Sequence, residues 1–257
     1  HGFLTRDGTE PERLRMLARE ELRRYETVDL RHDTVVSVER AAGGLFRSLT
    51  KEGLKVTSRV LVFATGMKEK LPDWPGLLDV YGRSVFSCPY CDGWELRDAP
   101  LALLGGCSHK LLAHIQHIRT WSRDLVVCTD GPAALSDEEK EQLRDRGILL
   151  YEEPIAALLS SDGQLTHIEL EDGQRIARRA AFLTDTGAHE ATEIPRQLGV
   201  GMEPRGVYQT GNHGLTRIPG LYIIGDAKHA FTGVAGAVSE GYEAGVAINH
   251  ALAIEDW

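Results

Sequence analysis

Cysteine is scarce in this chain. Four occur in 257 residues, at positions 88, 91, 107 and 128, too few for a fold stapled by disulfides. No apolar run reaches about 18 residues, so no membrane-spanning helix is predicted. No basic segment followed by an apolar stretch opens the chain, so no secretory signal is expected. Positive charge is also in deficit, with 29 Lys and Arg against 38 Asp and Glu and a net charge of −9. That balance argues against a general nucleic-acid or membrane-surface binder. Tandem repeats and low-complexity segments are missing. So is any G-x-G-x-x-G, the glycine fingerprint of a dinucleotide phosphate site.

What is present reads as an ordinary globular chain, 42% hydrophobic and 26% charged. It is long enough for one large domain or two ordinary ones without metal or disulfide support. The expected location is cytoplasmic. In a reducing compartment, a close cysteine pair is more often catalytic or metal-binding than structural.

Along the chain, Thr9 followed by Pro11 and Glu12 predicts a charged helix over 10–25 with Thr9 as its cap. Residues 28–58 read as short strands with turns at Gly43-Gly44 and Gly53. The unbroken apolar run at 59–64, ending in Ala64-Thr65-Gly66, suits a strand buried on both faces. Further on, 100–106 and 125–131 read as strands, 109–121 as a helix, and the DEEKEQLRD stretch as a polar helix stopped by Gly147. Hairpin turns are expected at Asp162-Gly163 and Asp172-Gly173. LYIIGDA at 221–227 reads as a buried strand ending in Gly-Asp, and 235–253 as a Gly- and Ala-rich helix. The alternation of strand and helix predicts α/β architecture with parallel sheets.

Two motifs carry chemistry. In Cys88-Pro89-Tyr90-Cys91, two thiols separated by two residues can close a small disulfide. The proline favours a helical first turn, and a thiol near a helix N-terminus is acidified into an attacking thiolate. A zinc reading needs two more ligands. Cys107 and Cys128 do not repeat the spacing, although His109 and His114 follow Cys107. Asp92 is either a turn residue with Gly93 or a group that passes a proton to a departing thiolate. In the second motif, Gly225-Asp226-Ala227 places a carboxylate at a strand end. There it can accept hydrogen bonds from a cofactor's hydroxyls, and the following helix offers free N–H groups to an anion or carbonyl. The remaining histidines, among them 114, 117, 213 and 250, read as surface or core residues, with His229 set apart by its place after GDAK. Tyr242 reads as helix packing.

VLVFATGM, FSCPYCDGWE, LALLGG and IPGLYIIGDA occur in the order found in low-molecular-weight thioredoxin reductases and their dithiol-oxidase relatives, and the resemblance spans nearly the whole chain. It implies two Rossmann-like lobes: a discontinuous FAD-binding domain at 1–83 and 188–257, interrupted by a smaller NAD(P)-binding-like domain at 84–187 that carries the dithiol. By the same resemblance, Cys91 matches the thiol beside the flavin, Cys88 the one that exchanges with substrate, and Asp92 the acid–base group. Thr65, Gly66, Gly225, Asp226 and Ala227 match FAD contacts, as do Val234, Ala235 and Gly236 at the turn facing the flavin. Gly105 and Gly106 match the nucleotide turn. FAD and NADPH are the implied cofactors, with no metal. A thioredoxin-like protein or a small dithiol or disulfide is the implied substrate, and a homodimer the implied assembly.

Two features depart from the pattern. The first strand with its G-x-G-x-x-G turn does not occur. The chain is therefore truncated, preceded by a segment outside this numbering, or a natural short form. A form truly lacking that unit should bind FAD poorly. Cys107 also stands where a third glycine fits against a pyrophosphate, and TDGPAALSDEEKEQ at 129–142 has no Arg for a 2′-phosphate. The glycine turn can equally serve only to pack strand on helix. A dithiol oxidase reoxidised by oxygen and a cofactor-free binding module therefore stand as alternatives to the reductase.

Overall fold

The computed structural model describes residues 1–106, 110–204, 206–229 and 232–257. They form two units, His1–Glu69 with Ala188–Trp257, and Lys70–Gly187. The central unit thus begins at residue 70 rather than 84. Leu77 and Val80 explain the difference, because both are buried in that unit's core.

The outer unit opens with α1 (Pro11–Leu22), where Pro11 occupies the first turn. Its cap position is Glu10 rather than Thr9, with no side-chain cap bond. An antiparallel sheet follows, β1 (Val35–Arg40), β2 (Phe46–Thr50) and β3 (Lys55–Ser58). Next come β4 (Leu61–Phe63) and β5 (Met67–Lys68).

The central unit contains α2 (Leu77–Val80), β6 (Val85–Phe86), α3 (Pro89–Asp92), β7 (Leu101–Leu104) and α4 (Leu111–Arg119). It continues with β8 (Leu125–Cys128), α5 (Asp137–Asp145) and β9 (Leu149–Tyr151). Ser136 and Glu139 close a reciprocal capping box at the start of α5, which fixes where this polar helix begins. The hairpin strands β10 (Ile155–Ser161), β11 (Gln164–Leu170) and β12 (Arg175–Ala177) lead into β13 (Ala180–Leu183).

Strands β6, β13, β7, β8 and β9 form one parallel sheet in that order. Its inner strands β13, β7 and β8 are apolar and buried at every position, as strands covered on both faces are. Leu101 and Leu103 face α4 and α5 through Leu111, Ile115 and Leu143. Ala102 and Leu104 face the hairpin sheet through Leu158 and Ile168. The chain order reverses between β7 and β13, which is the topological switch point where such sheets bind ligands.

The chain returns to the outer unit through β14 (His189–Glu190), paired with β5, and α6 (Ile194–Gln197). Strand β15 (Leu221–Ile223) pairs parallel with β4, and α7 (Asp226–His229) and α8 (Gly233–Glu255) follow. Phe46, Phe63, Tyr208, Leu221 and Ile223 form this unit's core. Strand β4 departs from the expectation of burial on both faces. Among the described residues it pairs with β15 alone, and Val62 is 40% exposed.

Candidate functional site

In the central unit, Cys88-Pro89-Tyr90-Cys91 folds as a single helical turn. Cys88 is the N-cap in extended conformation and Pro89 the first helical residue, a position where proline's missing N–H costs nothing. The N–H groups of Cys91 and Asp92 both donate to the Cys88 carbonyl at 3.2 Å. This turn puts the two thiols, three residues apart, on one helix face. The Cys91 thiol donates to the Cys88 sulfur, which holds the Cys88 pKa down to about 7 with help from the backbone N–H groups of Cys91 and Tyr90. Burial and the Asp92 charge oppose that shift without cancelling it. Cys91 is pushed well above the ordinary thiol range, first by its hydrogen bond to Cys88 and then by burial and charge. Burial, with the nearby Glu95 charge, raises the Asp92 carboxyl. The arrangement gives one ready thiolate, one resolving thiol and one carboxyl biased toward carrying a proton.

The helix is held from behind by α4. A side chain on Gly93 would lie 2.3 Å from the Pro89 carbonyl oxygen and 2.7 Å from the Trp121 ring, so only glycine permits this close approach. The His117 and Tyr90 rings lie 6.5 Å apart. Tyr90 and Trp94 are 67% and 57% exposed, and the Arg97 guanidinium stands 4.3 Å from the Trp94 ring centre. From the sequence Trp94 drew no notice, and Trp121 and His117 read only as helix or surface residues. Their only signal was an aromatic two residues beyond Asp92 and ring residues in the next helix.

Gly105 and Gly106 follow β7 at the switch point. A side chain on Gly106 would fall 2.4 Å from a Thr129 methyl and 3.2 Å from Leu111, so this glycine is required for packing. Cys107 and His109, named from the sequence, lie outside the described residues. After β8, Asp130 accepts the Trp74 indole N–H at 3.0 Å and the Ile155 N–H at 2.7 Å. Lys140 is ion-paired with Glu152 at 2.9 Å. Packing thus accounts for Gly106 at the switch point, and the loop after β8 spends its charges internally.

In the outer unit, the parallel register matches Ile223 with Phe63, so the two loops that follow leave the same sheet edge. Thr65 and Gly66 are thereby brought beside Gly225, Asp226 and Ala227. Asp226 Oδ1 accepts from the Thr232 N–H at 2.8 Å and its hydroxyl at 3.0 Å, leaving Oδ2 for an outside donor. Because Thr232 is spent on Asp226, it gives α8 no side-chain cap. The N–H groups of Val234, Ala235 and Gly236 thus open a 23-residue helix uncapped, which suits a cofactor carbonyl or phosphate. The paired loops, carboxylate and uncapped helix fit FAD.

Glu240, missed from the sequence, clamps the same turn. Its side chain is 16% exposed, accepts from the Gly225 N–H at 2.6 Å and sets Oε1 2.6 Å from His229 Nε2. Lys228 Nζ is 3.5 Å away. Its signal was an acid set among the Gly and Ala residues that open α8. His213 pairs with Glu243 at 3.5 Å. Tyr242, expected to pack, is 74% exposed. Among the described residues no three His, Cys, Asp or Glu side chains are grouped to hold a metal, and no helix is long and apolar enough to cross a membrane.

The pyridine nucleotide-disulphide oxidoreductase family model matches residues 4–241. A probable thioredoxin reductase of Arthroderma benhamiae is 25% identical over 89% of this chain, which spans 64% of that protein. Thioredoxin reductase aclD of Aspergillus oryzae is 26% identical over the full chain and 84% of its own length. The crystal structure of a putative thioredoxin reductase, TrxB, from Bacillus anthracis superimposes with a TM-score of 0.94 at 33% identity. The match covers all of this chain and 86% of that one.

Proposed function

Because the chain belongs to the pyridine nucleotide-disulphide oxidoreductase family, we propose that it is a flavin-dependent thiol–disulfide oxidoreductase of the thioredoxin reductase type. The family uses FAD and NADPH. The observation that carries the reading is the hydrogen-bonded Cys88–Cys91 pair, with the Cys88 pKa held at about 7. In this reading residues 1–69 and 188–257 bind FAD through Thr65, Gly66, Gly225, Asp226, Ala227 and the first turn of α8. The central unit offers Gly105 and Gly106 to the pyridine nucleotide.

FAD, when bound, supplies the two-electron chemistry that restores the dithiol. The chain's own residues carry the exchange. The Cys88 thiolate attacks one sulfur of the substrate disulfide, forming a mixed disulfide and releasing a thiolate. Asp92 protonates that leaving thiolate. Cys91, losing its proton to the Asp92 carboxylate, attacks the Cys88 sulfur and expels the second substrate sulfur as a thiolate, which takes that proton back from Asp92 and leaves the carboxylate ionised. The products are a Cys88–Cys91 disulfide and two reduced substrate thiols, so electrons and protons balance. The substrate class is a thioredoxin-like protein or a small disulfide, and family likeness supports a homodimer in the cytoplasm.

The test is NADPH-dependent bleaching of the bound flavin coupled to reduction of a disulfide. Cys88→Ser and Cys91→Ser should each abolish turnover with flavin still bound. Turnover retained in either variant removes the dithiol mechanism. Flavin bleached by a small dithiol but not by NADPH reverses the direction of electron flow.

A further inference from the structure

The central unit holds a second concave site that the dithiol chemistry leaves unused. A cavity of about 430 Å³ opens between α4 and α5, with Arg119, Arg123 and Arg146 on its wall. Arg119 ends α4, Arg123 precedes β8, and Arg146 precedes β9. The cavity therefore lies at the amino ends of these parallel strands. Gly105 and Gly106 follow β7 at the carboxyl edge, so the nucleotide turn is at the opposite side of the sheet.

Three guanidinium groups around one cavity are out of keeping with a chain of net charge −9. Among the described residues no acidic side chain lines the cavity. Arg146 donates to the Gln142 carbonyl at 3.0 Å, an ordinary helix-end contact. Arg119 and Arg123 have no such explanation, since neither has an ion-pair partner among the described residues. The Nε of Arg119 is buried without a hydrogen-bond partner among them. Beneath the arginines, Leu143 and Ile148 form an apolar floor and are each 2% exposed.

We propose that this cavity binds a small organic phosphate monoester. Guanidinium forks match phosphate oxygens in paired hydrogen bonds, and several together suit a dianion better than a carboxylate. The floor accepts the apolar body of the ester, and the volume falls within the range of small-molecule sites.

Calorimetric titration of the FAD-loaded chain tests this with phenyl phosphate, inorganic phosphate and phenol. Phenyl phosphate should bind more tightly than inorganic phosphate, and phenol should not bind. Arg123→Glu, at an exposed position, should weaken phenyl phosphate binding roughly tenfold or more, the worth of one charge-assisted hydrogen bond. Arg119→Gln should do the same, and saturating NADPH should leave the affinity unchanged. The proposal is overturned by absence of phenyl phosphate binding, by equal affinity of parent and Arg123→Glu, by equal affinity for phenyl and inorganic phosphate, or by competition with NADPH.

Discussion

Replacing Cys91 with Ala removes the thiol that donates to the Cys88 sulfur, the largest contribution holding the Cys88 pKa at about 7. A hydrogen bond to a charged group is worth about 1.5–3 kcal/mol, and one pKa unit corresponds to about 1.4 kcal/mol. Loss of the donor should therefore return Cys88 to roughly 8–9, the ordinary thiol range. At about pH 7 the thiolate fraction then falls from near one half to a few per cent. The more basic thiolate is intrinsically several-fold more nucleophilic, because reactivity follows basicity with a slope near 0.4–0.5. Iodoacetamide alkylation of Cys88 should thus slow only about threefold at pH 7 and become faster than in Cys91→Ser above about pH 8, with the difference growing to roughly fivefold once Cys88 is fully ionised in both variants. Cys91→Ser keeps an O–H donor and should keep the midpoint near 7. Alkylation with the same midpoint in both variants would refute the claim that Cys91 acidifies Cys88.

Two further predictions follow from the packing. Gly93→Ala places a methyl against the Pro89 carbonyl and the Trp121 ring, which should cost about 1–3 kcal/mol and lower the unfolding temperature. An unchanged melting temperature with unchanged thiol reactivity would show that α3 moves freely. Glu240→Leu removes the acceptor of the Gly225 N–H and should weaken FAD binding roughly tenfold or more, while Glu240→Gln keeps that bond and most of the affinity. Fluorescence titration with FAD measures both, and equal affinity in the two variants excludes the clamp.

Cys88-Pro89-Tyr90-Cys91 was legible as a dithiol because the chemistry lies within four consecutive residues, and proline sets the turn locally. The parallel strands of the central unit were legible for a similar reason, since burial on both faces leaves an unbroken apolar run. Strand β4 has the same apolar pattern yet pairs on one edge only, because exposure depends on which partners are present and not on the strand's own residues. Gly106 showed in sequence that a side chain was unwelcome, but not that Thr129 and Leu111 were what it would meet. Which acid braces Gly225 and where three arginines gather depend on contacts between residues well separated in sequence. Those the tertiary structure alone decided, by setting distances that the order of residues leaves open.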